Sequence, residues 1–159
     1  MDLLDRLLGH DAWTTRQLLE IAAPLTDAQL DRPFEIGHRT LRATFIHIVG
    51  NLEVWSALMA GLPIERPTDT SIPGLIRRLD EAAARLRSVA RSVADRDGWD
   101  ERWIDHLDKP AREKTYGAAV AHVITHSMHH RAQVLYLLRL SGVANLPEGD
   151  VFSWENRAT

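Results

Sequence analysis

Four separate stretches of this chain return apolar residues every three or four positions, a period that only an amphipathic α-helix satisfies over such lengths. Residues 2–22 carry Leu3, Leu4, Leu7, Leu8, Leu18 and Ile21, and Pro24 ends the pattern. Thr40 is a suitable N-cap for a second helix with Leu41, Phe45, Ile48, Leu52, Trp55 and Met59 on one stripe, stopped by Gly61 and Pro63. A third follows with Ile72, Leu75, Leu79, Ala82, Leu86, Val89 and Val93 in a bundle-type seam. A fourth is capped by Thr115, runs to about Leu140 and closes at Gly142. Between the last two, Trp103 and Ile104 read as a short strand that turns through "LDKPA" into a second one. The tail, with Pro147, Gly149 and two aromatics, is expected to fold back over one end. Four such helices in 159 residues imply an all-α four-helix bundle, one domain over 1–159, with connections long enough to leave its topology open on periodicity alone.

The fourth helix contains an anomaly. "HVITHSMHHRAQVLYLLR" places four histidines within nine residues of an otherwise apolar run. With His126 as the origin of a helical wheel, Val123, Val134 and Leu137 fall between about 20° and 80° and His130 at about 40°. His130 is therefore inside the apolar arc and His126 at its edge, while His122 and His129 turn toward water. Residues four apart on a helix have Cβ atoms about 5–6 Å apart, close enough for two imidazoles to meet one ion. Left unpaired in a core, each buried polar group would cost about 1–3 kcal/mol. A third ligand must come from another helix, and His47 and His10 are the candidates. A single inward histidine is more often a core ring bonded to a carbonyl, which is the plainer reading of either one alone.

Composition narrows the chemistry. With no cysteine there is no disulfide, zinc–thiolate site or cysteine nucleophile, so a transition metal must use His, Asp or Glu. A net charge of −3 gives no basic surface for a nucleic-acid partner. The first residues carry Asp2 and Asp5 where a secretion signal needs basic ones, and no apolar run approaches the roughly 18 residues of a membrane span. A cytoplasmic protein is expected.

Three stretches resemble the DinB-like superfamily of metal-binding bundles: "HDAWTTRQLLE", "LTDAQLDRPFEIGHRTLRATFIHIVGNLEVW" and "HVITHSMHHRAQVLYLLRLSG". The last is similar to that family's His-x-x-x-His-Arg-Gly-Gln helix. The resemblance implies a crossed-over bundle, often a homodimer, holding one divalent metal on three histidines. By position these are His47, His126 and His130, a choice of His47 over His10. Zinc is the first expectation, and nickel, iron or manganese suit the same nitrogens. Ala132 stands where the family usually has glycine, an exchange expected to tighten the space around the site, and Gln133 is kept near enough to orient a ligand. Three imidazoles leave a position for water or a thiol. The chemistry the resemblance implies is that of a metal-dependent hydrolase, or of an S-transferase using a low-molecular-weight thiol such as bacillithiol or mycothiol, acting on a small molecule.

Rival sites find little support. A ferritin-like di-iron centre needs two Glu-x-x-His motifs on helices, and the one such spacing, Glu35 to His38, straddles Gly37. There is no H-E-x-x-H, no G-x-S-x-G and no phosphate-binding loop. Asn51, Glu53 and His129 are the candidates for a proton carrier, with Glu53 expected to face solvent. The non-catalytic alternative is an ion that only braces the second helix against the fourth in a dimeric binding or stress-response module. Because Ile124, Met128 and Leu135 lie opposite the histidines, the fourth helix is either central or covered by a partner. Specificity is expected from the loops at the bundle mouth and from Asp150, Phe152 and Trp154.

Overall fold

The computed structural model describes residues 1–158. Four long helices carry the fold: α1 (Leu3–Ala22), α3 (Leu41–Met59), α4 (Ile72–Asp95) and α5 (Tyr116–Leu140). Two short ones, α2 (Asp27–Leu30) and α6 (Val151–Glu155), and a final turn of 3₁₀ helix (Asn156–Ala158) complete the helical part. The strands β1 (Arg102–Asp105) and β2 (Arg112–Thr115) pair antiparallel, Arg102 opposite Thr115 and Asp105 opposite Arg112.

Each long helix begins at a side chain that accepts an otherwise orphaned backbone N–H: Asp2 from Asp5, Thr40 from Ala43, Ser71 from Gly74 and Thr115 from Ala118. At the end of α5, Gly142 takes φ +85°, which lets the Val143 N–H reach back to the Leu138 carbonyl. The connection after α1 contains α2 because Thr26 and Gln29 form a capping box around it.

Packing orders the helices as α1, α4, α3, α5 around the ring. Consecutive long helices α1 and α3, and α4 and α5, thus lie on diagonals, which is the crossed-over arrangement. The core runs through Leu18, Leu41, Phe45, Leu75, Leu79, Val123, Val134 and Leu137, all essentially inaccessible. Leu3, placed on the apolar stripe of the first helix by its spacing, is instead exposed; the buried face of α1 turns to include Asp11, Thr14 and Thr15. No helix among the described residues is long and apolar enough to cross a membrane.

The tail docks along α1. Trp154 is buried against Gly9, Arg6 pairs with Glu155, and the His10 Nε2–H donates to the Gly149 carbonyl at 2.7 Å. Asp150 caps α6, Phe152 is exposed and Trp154 is buried against α1, so Trp154 serves docking and is not a specificity residue at a mouth. A Cβ at Gly9 would overlap the Trp154 indole. Gly9→Ala is therefore expected to destabilise by about 1–2 kcal/mol, an overpacking cost of about 1–3 kcal/mol less the gain of up to about 1 kcal/mol in helix propensity. A urea titration followed by tryptophan fluorescence checks this, and an unchanged or raised midpoint refutes it.

Candidate metal centre

His47 lies two turns inside α3, whose start is set by Thr40, and His126 and His130 lie one turn apart on the face of α5 that meets α3. The wheel assigned their exposure correctly. His130 is buried, His126 and His47 are half-buried, and His122 and His129 are exposed. The Nε2 atoms of His47 and His126 stand 3.1 Å apart, and the His130 ring centroid is 4.5 Å from each of the other two.

A fourth ring joins them. His38, in the turn before α3, stacks on His47 with centroids 3.8 Å apart, and nitrogens of His38, His47 and His130 all fall within 4.8 Å of one another. Spacing could not reveal this, because His38 belongs to no periodic element; it was visible only as half of a Glu-x-x-His pair rejected as a di-iron motif. The turn that carries it is closed by the Phe34 N–H to the Arg39 carbonyl at 2.7 Å and anchored by Phe34 and Ile36 against the core. Gly37, at φ +50°, lies so close to Gln133 that a Cβ would overlap it.

Gln133 orients the cluster. Its Oε1 accepts from His130 Nδ1–H at 2.9 Å, leaving Nε2 of His130 as the nitrogen with a lone pair, and its Nε2–H donates to His129 Nε2 at 3.1 Å. Asn51, one turn beyond His47, is half-buried and makes no side-chain hydrogen bond among the described residues. Glu53 does not face solvent as its wheel position suggested. It accepts two bonds of 2.8 Å from the Arg78 guanidinium across α3 and α4, which removes it as a proton carrier. Ala132 is exposed, so the exchange of glycine for alanine does not tighten the site.

The donor set fits a divalent cation. Burial, followed by the neighbouring rings, pushes the His47 and His126 imidazoles down to about 4. Both are neutral at pH 7, the form that ligates a metal. Nitrogens held about 2.0–2.1 Å from one tetrahedral zinc stand roughly 3.3 Å apart, close to the separation of His47 and His126. Nδ1 of His126 is buried with no hydrogen-bond partner, so the ring makes no polar contact except through the nitrogen that faces His47.

A row of ring contacts runs from the cluster along α5 to the hairpin. The His122 ring is 5.2 Å from His126 and 5.0 Å from Trp55, which meets Trp103 edge-on. Trp55, Lys114, Thr115, Ala118 and His122 line a cavity of about 430 Å³ there.

In this crossed four-helix bundle His47 of α3, His130 of α5 and His38 of the turn before α3 form a group that could hold a metal ion. The sequence model of the DinB superfamily matches residues 10–134, and the chain belongs to that superfamily. A comparison with curated proteins finds no match.

Proposed function

We propose that the chain is a divalent-metal-dependent enzyme whose ligands are His47, His126 and His130 and whose substrate is a small molecule. The observation that carries this reading is the facing of neutral imidazole nitrogens from two packed helices, 3.1 Å apart for His47 and His126, with the His122 ring linking His126 to the cavity beside the hairpin. A bound ion, zinc first and nickel, iron or manganese next, would supply an acidified water for hydrolysis or a docking point for a thiolate. Gln133 holds His130 in the ligating tautomer, with His129 as its outer partner. Trp55 and His122 offer flat apolar walls for the substrate, and Lys114 sits 4.7 Å from the Trp55 ring centre. Thiol S-transfer with a compound of the bacillithiol or mycothiol class and hydrolysis of an ester are the two reactions this reading admits. Met128 and Tyr136, both at least half exposed on the outer side of α5, suit a homodimer surface.

One observation favours the non-catalytic reading, a metal brace in a binding or stress-response module. Glu53 is held by Arg78, which leaves His129, already hydrogen-bonded to Gln133, as the candidate base beside the cluster. Activity and melting temperature, measured on metal-loaded and chelator-stripped protein against a panel of thiol conjugates and esters, separate the two. Loss of turnover with a nearly unchanged melting temperature supports the enzyme. A collapse in melting temperature with no turnover on any compound supports the brace.

A further inference from the structure

We propose that His38 is a fourth protein ligand of this centre and its exchangeable one: the imidazole closes the coordination shell at rest and gives way to an incoming ligand. The inference rests on the three-histidine reading above and extends it. His38 is exposed, yet its imidazole lies over His47 with ring centres 3.8 Å apart and comes within 5.1 Å of His130, a placement that one ion shared by the three rings would explain. Its nitrogen lies within 4.8 Å of those of both rings, near enough that small side-chain adjustments would bring them to the roughly 3.3 Å between ligands of one tetrahedral zinc.

Exchangeability follows from where each ligand is mounted. His47, His126 and His130 are fixed by the packing of α3 against α5. His38 is held by a short turn in which the residues on both sides of it have left-handed backbone, Gly37 at φ +50° and Arg39 at φ +71°. A non-glycine residue pays a steric penalty there, and such strain persists only where surrounding contacts enforce it. The turn itself is held by the Phe34–Arg39 and Arg39–Ile36 backbone bonds, the Thr40 N–H to the His38 carbonyl, the Arg39–Glu35 ion pair, the packing of Phe34 and Ile36 against the core and the contact of Gly37 with Gln133, none of which involves the His38 side chain. Swinging His38 out breaks no helix and uncovers no core side chain, whereas releasing any of the other three requires moving a helix.

Four imidazoles would make a closed zinc site of the structural kind, and three an open one of the catalytic kind. His38 then decides which of the two the protein presents.

The test uses cobalt(II) as the probe, since its visible absorption reports coordination number, with the intact chain, His38→Ala, His38→Gln and His130→Ala. Expected are binding by the wild type, its loss in His130→Ala, and in both His38 variants an affinity reduced by about tenfold or more, on the scale by which even outer partners of ligands act. The absorption band of His38→Ala should also change and return toward that of wild type when free imidazole is added, which a purely structural role of His38 would not produce. Wild-type affinity and spectrum in both His38 variants would overturn the assignment of His38 and leave the three-histidine site standing. Failure of the wild type to bind cobalt would overturn both.

Discussion

Arg131→Met is expected to lower the stability of the fold by about 3–5 kcal/mol, the usual cost of stranding one member of a buried ion pair. Arg131 on α5 and Asp11 on α1 are each only 4 % exposed. One guanidinium nitrogen of Arg131 donates to the Asp11 carboxylate, to the Ser127 hydroxyl at 2.8 Å and to the Asp11 carbonyl at 3.3 Å. Thr15 donates to that same carbonyl at 2.8 Å. Burial pushes the Asp11 carboxyl up while Arg131 pulls it back, so removing the cation leaves the acid with its desolvation and little to offset it. For a chain of this length each kcal/mol moves the midpoint by about 2–4 °C, which makes the expected fall roughly 10 °C. Adding Asp11→Leu to Arg131→Met should recover much of the loss, because an apolar pair of similar volume is often neutral or better. Thermal and urea unfolding of both single variants and the double variant measure this coupling. A loss below about 1 kcal/mol in Arg131→Met would mean that the pair is solvated.

The second large effect is on metal content. Purified protein loaded with zinc or nickel and desalted is expected to hold close to one ion per chain by elemental analysis, and His47→Ala, His126→Ala and His130→Ala combined should hold almost none. Each substitution removes an imidazole from the cluster between α3 and α5, and the ring of His38 alone offers no chelate. Gln133→Ala is expected to act more mildly, lowering affinity about 10–100-fold by freeing the His130 ring to rotate. A wild-type stoichiometry near zero that the triple substitution leaves unchanged would sink the metal reading.

How far these features were legible in the chain differs by residue. His126 and His130 were readable because a helix has a fixed angle per residue: a ring inside the apolar arc is buried and one at its edge half-buried, as they are. The same wheel puts Arg131 at about 140°, outside the arc of Val123, Val134 and Leu137, and neither its burial nor its partner Asp11 on α1 was readable. Glu53 shows the opposite failure. Its wheel angle suggested water, but Arg78 of α4 closes over it with two hydrogen bonds. His10 is the plain case, an inward ring satisfied by a carbonyl, that of Gly149.

The four long helices, the caps Thr40 and Thr115, the short hairpin and the side of the last helix that carries the inward histidines were all legible in the chain, since they depend on neighbours within a few residues. Only the tertiary structure decided that α1 and α3 sit diagonally, that Asp11 meets Arg131, and that the turn from Phe34 to Thr40 lays His38 on His47. Those pairings join residues far apart in the chain or mounted on non-periodic backbone. Their partners are chosen by how helices stack and loops close, which no local period encodes.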